Sequence, residues 1–257
     1  MDFSKHIIKN KTPLKLALAK LNDLAADAVL FVVDEEEKLV GSLTDGDIRR
    51  GVLQGLTLDD IADKFSQPKP RYLRQGNHSI EDVIFFRENH IQIVPVLNAD
   101  GRIADIVNLR SLKSYLPIDA VIMAGGRGER LIPLTDSVPK PLLKIGGHAI
   151  IEHNLKRLAA FGINKFWISL GYLGEQVEDY FNTVEKPDLD IQFIWEEKPL
   201  GTIGAVSKIK AFHHDYVLIT NSDLLTNIDY EHFFLYFLEH EADVAIVSIP
   251  YQVSVPY

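Results

Sequence analysis

The sequence predicts an α/β protein in two parts, a tandem pair of β-α units followed by an open α/β sheet. Three observations carry this. One pattern of helix, strand, turn, strand and helix occurs twice in the first 115 residues. Beyond Pro117, apolar runs alternate with amphipathic stretches, as strands buried on both faces between helices require. A length of 257 residues with 46% hydrophobic residues suits two globular domains and excludes a disordered or collagen-like chain.

Charge and composition narrow the function classes. With 36 Asp and Glu against 27 Lys and Arg the net charge is −9, so the chain lacks the positive field of a nucleic-acid binder. It has no cysteine, which removes disulfides, thiolate metal sites and thiol nucleophiles. No apolar run reaches the eighteen or so residues that span a bilayer, and Lys5, His6 and Lys9 interrupt any signal-peptide core. These features predict a soluble, unexported, cytoplasmic protein without a membrane partner.

The repeat can be followed element by element. Its first copy has an amphipathic stretch Leu14–Leu24, an apolar run Val29–Val33, an acidic turn at 34–38, the run Leu39–Leu43 and a polar helix start from Thr44. The second has Ile80–Glu88, Ile91–Leu97, a turn from Asn98 to Gly101, Ile103–Val107 and a final helix from Asn108. From the second strand onward the copies are offset by a constant 64 residues. Pro117 disfavours helix in the residue before it and marks the boundary. The domains are thus predicted as 1–116, with repeats of about 1–64 and 65–116, and 117–257.

The segment Gly41-Ser-Leu-Thr-Asp-Gly-Asp-Ile-Arg49 resembles the closing signature of a CBS motif, and two tandem copies resemble a CBS pair. The resemblance implies that Thr44 binds a nucleotide phosphate and Asp47 the ribose hydroxyls of an adenine nucleotide. It also implies a homodimer formed through the pair. A threonine at a helix start does sit among unpaired amides that attract phosphate. The residues equally suit a second role, with Thr44 capping the helix and Asp47 in its first turn. The second copy departs from the pattern, with Asn108 and Ser111 at the two places.

In the second domain the predicted strands are Ala120–Met123, Phe166–Leu170, Ile191–Trp195, Tyr216–Thr220 and Val244–Ile249. The predicted helices are Ile150–Phe161, Gly174–Phe181, Ile203–Ala211 and Tyr230–His240. An open sheet of this kind binds ligands at the carboxyl ends of its strands. The loop after the first strand, Ala124-Gly-Gly-Arg-Gly-Glu-Arg130, lacks the Gly-Lys-Ser/Thr of a Walker A loop. It also lacks the third glycine of a dinucleotide fingerprint, since Leu131 stands there. What remains is a glycine turn whose amides can approach a phosphate chain, with Arg127, Arg130 and Lys140 as cations.

From Ala120 onward the chain resembles the sugar-1-phosphate nucleotidyltransferases. The motifs that carry this are the glycine loop, Pro139-Lys-Pro141, Pro199-Leu-Gly-Thr-Ile-Gly-Ala205 and Asn221-Ser-Asp223, in order. The resemblance implies an open Rossmann-like α/β fold and transfer of a nucleotidyl group from an NTP to a sugar 1-phosphate, with pyrophosphate leaving. It implies that Gly125, Gly126 and Gly128 cradle the phosphates, with Gly201 and Thr202 also at the nucleotide. By the same resemblance Arg130 would stabilise the pyrophosphate, Lys140 would meet the α-phosphate and sugar phosphate, and Asp223 would hold Mg²⁺. Asp223 also suits a turn cap, Arg130 a solvated surface and Lys140 an ordinary loop. Glu129 and Ser222 depart from the commoner family form.

Glu196 stands where relatives carry a base-reading residue. A carboxylate can accept from the adjacent N1–H and N2–H₂ of guanine, which favours GTP; the alternative is a surface pair of Glu196 or Glu197 with Lys198. His213 and His214 read as loop, and the phenylalanine-rich helix near residue 234 as packing. The family's second Mg²⁺-binding Asp and second Lys have no assignable counterpart before Tyr257. The chain is therefore expected to be C-terminally incomplete and of low or no activity. A rival class is a regulatory protein in which the CBS pair binds adenine nucleotide and the transferase-like domain is non-catalytic; the intact Arg130, Lys140 and Asp223 speak against it.

Overall fold

A computed structural model describes residues 3–184, 189–198 and 200–250. Pro199 of the glycine-containing motif and the final 251–257 lie outside the described residues. The chain divides into two compact units, Met1–Leu224 and Leu225–Tyr257.

In the first unit the opening repeat comprises β1 (Ile7–Lys9), α1 (Leu14–Leu24), β2 (Val29–Val33), β3 (Leu39–Thr44), α2 (Asp45–Leu53) and β4 (Gln67–Pro68). The strands form a sheet in the order β1-β2-β3-β4. Leu14, Ala17, Leu21 and Leu24 recur at helical spacing and are buried, together with Leu30, Val32, Leu43, Ile48 and Phe65. The second repeat comprises β5 (Leu73–Arg74), α3 (Ile80–Glu88), β6 (Ile93–Leu97) and β7 (Ile103–Asn108), with the sheet order β5-β6-β7.

The 64-residue offset holds at the level of register. Val29 pairs with Thr44 and Ile93 with Asn108, and the ladder slips at Val32/Val33 in one copy and at Val96/Leu97 in the other. Phe31 packs with Ile93 and Ile106 to join the two sheets, and the Leu39 amide donates to the Gly101 carbonyl between the two hairpins.

The helix expected after Asn108 does not form; residues 109–111 are a turn. The Asn108 side chain accepts the Arg110 amide (3.0 Å), closing a local turn. The Lys113 and Leu116 amides then donate to the carbonyls of Ala160 and Phe161 (2.7 and 3.0 Å). Donors used on another element cannot sustain an i to i−4 ladder. No helix therefore forms between Asn108 and Pro117.

The larger sheet comprises β8 (Ile118–Met123), β11 (Lys165–Leu170), β12 (Asp190–Trp195) and β13 (Tyr216–Asn221). Between β8 and β11 come the small hairpin β9 (Lys144–Ile145) and β10 (His148–Ala149) and the helix α4 (Ile150–Ala159); α5 (Gly174–Thr183) follows β11. Its order is β12-β11-β8-β13, all parallel. The chain moves outward from β8 to β11 and β12 and returns to the other side of β8 at β13. The switch point therefore lies between β8 and β13. Ala120, Val121 and Ile122 of the central strand are wholly buried.

The predicted helix Ile203–Ala211 is instead a 3-10 turn, Gly204–Lys208. The Ser207 hydroxyl takes the Gly204 carbonyl (2.7 Å), which an α-helix would offer to the residue 208 amide.

In the second unit α6 (Tyr230–Glu239) begins at Asp229, whose carboxylate accepts from the Glu231 and His232 amides, and buries Tyr230 and Phe234. The predicted strand Val244–Ile249 is absent. No ladder partner is present among the described residues, and Val244, Ile246 and Ile249 are exposed. Among the described residues, no helix is long and apolar enough to cross a membrane.

Candidate functional site

The glycine loop leaves β8 at the switch point, and its geometry explains its composition. A Cβ on Gly125 would lie 3.0 Å from Glu196 Oε1 and 3.3 Å from the Gly171 nitrogen, so the backbone runs against the ends of β11 and β12. Gly128 has a φ of 65°, and a Cβ there would meet Thr135 and the Lys140 side chain. A Cβ on Gly126 would meet nothing within 4 Å, and the residue is exposed.

Several residues outside the predicted set hold the loop. The buried Ser169 hydroxyl accepts the Ala124 amide (3.2 Å), and the Tyr172 amide donates to the Gly125 carbonyl (3.1 Å). The Thr135 hydroxyl donates to the Gly128 carbonyl (3.0 Å). Arg127 lies over the Tyr172 ring, 5.2 Å from its centroid, and the Tyr172 hydroxyl donates to the Asp136 carbonyl. Ser169 and Tyr172 stand in no recognisable motif and reach the loop because β11 lies beside β8, whereas Thr135 closes the loop locally, seven residues from Gly128.

Lys140 and Asp223, 83 residues apart, meet in an ion pair beside the loop. Lys140 opens the 3-10 turn Lys140–Leu142, and Asp223 follows the end of β13. The turn carrying Asp223 is tied down twice. The Ser222 amide donates to the Met123 carbonyl (3.1 Å), and the buried Asn154 of α4 donates to the Ser222 carbonyl (2.8 Å).

Arg130 lies on the short 3-10 turn Glu129–Leu131, exposed and without an ion pair to a described residue. Glu196 sits at the end of β12 beside Gly125, and its Oε2 accepts the Leu200 amide (3.1 Å). No ion pair of Glu196 or Glu197 with Lys198 forms among the described residues. Gly201, with φ 80°, and Thr202 are both exposed. The structure thus brings Gly125, Gly126, Gly128, Lys140, Asp223 and Glu196 to one end of the sheet. Among the described residues no group of three or more His, Asp or Glu is placed to hold a metal ion. Asp223 is a single hard-oxygen donor with solvent access. That suits Mg²⁺, which takes one or two carboxylates and completes its shell with phosphate oxygens and water.

In the first repeat Thr44 and Asp47 form a capping box around the start of α2. Asp47 accepts the Thr44 amide (2.9 Å) and hydroxyl (2.5 Å) and pairs with Arg50 (2.5 Å). Burial pushes the Asp47 carboxyl up, but the hydrogen bonds from Thr44, Arg50 and Gln67 outweigh it and hold the pKa below the usual range. At the second place Asn108 donates to Asp27 (3.0 Å), and the Ser111 hydroxyl donates to the Asn108 carbonyl.

Where the repeats meet the sheet, His78 stacks on Tyr115 with ring centroids 4.7 Å apart, and its Nε2 bonds the Tyr115 carbonyl (2.8 Å). Asp119, wholly buried at the start of β8, accepts the His213 amide (2.6 Å) and bonds His214 Nδ1 (2.7 Å). Burial raises its pKa, yet the bonds to His214 and His213 more than offset this and leave it lowered. His213 and His214 are thus loop residues as expected, with a structural partner the sequence did not reveal.

The sequence profile of the nucleotidyl transferase family matches residues 119–256, more than half of the chain, and that of the CBS domain matches residues 6–54. Mannose-1-phosphate guanylyltransferase of Mycobacterium tuberculosis is 34% identical over 130 residues, 50% of this chain and 36% of that protein. N-acetylmuramate alpha-1-phosphate uridylyltransferase of Neisseria meningitidis is 36% identical over 115 residues, 43% of this chain and 49% of that protein. The chain thus spans less than half the length of these two curated relatives. A crystal structure of the CBS-pair protein CBSX2 from Arabidopsis thaliana matches 41% of this chain and 80% of its own at 24% identity, with a TM-score of 0.34.

Proposed function

The chain belongs to the nucleotidyl transferase family, and from that premise we propose that it transfers a nucleotidyl group from an NTP to a sugar 1-phosphate. A phosphate oxygen of the sugar attacks the α-phosphorus, the bond to the bridging oxygen breaks, and pyrophosphate leaves. Such a reaction asks the protein for positioning and charge neutralisation rather than a covalent nucleophile. The observation that carries the reading is the meeting of Lys140 and Asp223 beside an open glycine loop at the switch point.

In this reading the Gly125, Gly126 and Gly128 backbone cradles the triphosphate, and the exposed Arg130 neutralises the departing pyrophosphate. Lys140 holds the α-phosphate against the sugar phosphate. Asp223 would hold Mg²⁺, which supplies charge neutralisation on the phosphates when bound. GTP is the favoured base because Glu196 lies beside Gly125, presenting a carboxylate to the adjacent donors of guanine. The guanylyltransferase relative agrees with this choice and the uridylyltransferase relative does not.

Thr44 and Asp47 are the proposed adenine-nucleotide site of the CBS pair, with the pair also dimerising the protein. Ligand entry there has to open the capping box. A product screen of four NTPs against several hexose 1-phosphates tests the reading. GTP should be consumed fastest, and Glu196→Gln should narrow its lead over UTP by about ten-fold, one charge-assisted hydrogen bond. A preference for UTP would overturn the base assignment, and full activity in Asp223→Ala would overturn the reaction.

A further inference from the structure

We infer that Asp223 makes the site selective for a cation–triphosphate complex over the free polyphosphate anion, by occupying the Lys140 ammonium until a cation arrives. The inference rests on the nucleotidyl-transfer reading of the same site. Lys140 and Asp223 are paired, and each side chain is about one-third exposed, so water and ligand reach the pair while solvent screens it only in part.

Neither backbone is free to withdraw. Lys140 opens a 3-10 turn in which its carbonyl accepts the Leu143 amide (3.2 Å), and its side chain packs against Gly128. The Asp223 turn is held by the Ser222 amide on Met123 and by Asn154 on the Ser222 carbonyl. Separation of the pair must therefore come from rotation of the two side chains.

The two forms of a triphosphate meet this pair differently. A metal-free triphosphate has to take Lys140 from its partner and then sit beside an unpaired carboxylate, a like-charge contact. A triphosphate that carries a divalent cation offers the carboxylate a new partner as it offers Lys140 a phosphate oxygen, so both charges stay compensated. Arg130, exposed and without an ion pair to a described residue, meets both forms alike. The discrimination therefore resides in the pair.

The experiment is equilibrium binding of GTP to the 257-residue chain, in Mg²⁺ and in EDTA, for the parent, Asp223→Asn, Lys140→Ala and the double variant, with thermal midpoints as a folding control. The parent should bind about ten-fold more tightly with Mg²⁺, roughly one charge-assisted hydrogen bond. Asp223→Asn should bind metal-free GTP more tightly than the parent does and lose most of the Mg²⁺ dependence. That gain should vanish in the Lys140→Ala background, as a double-mutant cycle requires of a shared interaction. Equal binding by the parent in Mg²⁺ and EDTA, an undiminished Mg²⁺ dependence in Asp223→Asn, or a gain that survives Lys140→Ala would each overturn the gate while leaving nucleotide binding intact. No GTP binding by any folded form in either buffer would overturn the functional reading and the gate together.

Discussion

The turns that close the two repeats begin from the same register and end differently. At Thr44 the strand runs into α2, and the capping box satisfies the first amides of the helix. At Asn108 the strand runs into a turn, and the following amides at Lys113 and Leu116 satisfy the carbonyls of Ala160 and Phe161 after α4. The first repeat closes on itself, whereas the second closes on the end of α4. A repeat therefore fixes its hairpin internally, but its last element depends on which acceptors lie within reach.

The largest effect is expected where this closure is tightest. Gly162 has a φ of 78°, and a Cβ there would lie 2.6 Å from the Tyr115 Cα and 2.9 Å from the Ser114 carbonyl oxygen. Gly162→Ala adds left-handed strain to a backbone clash and should cost about 2–5 kcal/mol in denaturant unfolding. A cost below about 1 kcal/mol would mean that the second repeat is not held there.

On the other side of the comparison, Asp47→Ala dismantles the capping box and should cost about 1–2 kcal/mol. Because the folded-state pKa of Asp47 is lowered, its contribution is complete above the ordinary aspartate range and is lost as pH falls through the folded value. The parent should lose stability more steeply than Asp47→Ala in acid titrations below about pH 4. Parallel curves would remove Asp47 from the account.

The smallest effect sharpens the contrast. Installing the first repeat's residues in the second, Asn108→Thr with Ser111→Asp, should add no helix to the circular dichroism spectrum. Stability should change by about 1 kcal/mol or less, since the Lys113 and Leu116 amides stay engaged. A gain of one helical turn would show that local capping, not capture by α4, decides the ending.

Much of the fold was legible from periodicity. The repeat offset survives down to paired residues and to the ladder irregularity, and four of the five predicted sheet strands form within a residue or two of their expected ends. The misses share a cause. The helix after Asn108, the α-helix over Ile203–Ala211 and the strand Val244–Ile249 all had suitable local sequence. What they lacked was free backbone donors, unshared carbonyls or, among the described residues, a neighbouring strand.

At the candidate site, Gly125, Gly126 and Gly128 could be named because a tight turn demands glycine, and Lys140 and Asp223 because the family resemblance picks out their short motifs. Asn154, Ser169, Tyr172 and Thr135 could not, because each acts on a backbone group brought near only by folding.

The sequence by itself determined the α/β class, the register of the repeats and the tight glycine turn after β8, all of which follow from short-range pattern and backbone sterics. Only the tertiary structure decided that Lys140 and Asp223 neutralise each other, that Thr44 and Asp47 are engaged in a cap, and that the second repeat ends on α4. Those outcomes depend on partners distant along the chain or on a choice between competing hydrogen bonds. Only the folded backbone settles which donor reaches which acceptor.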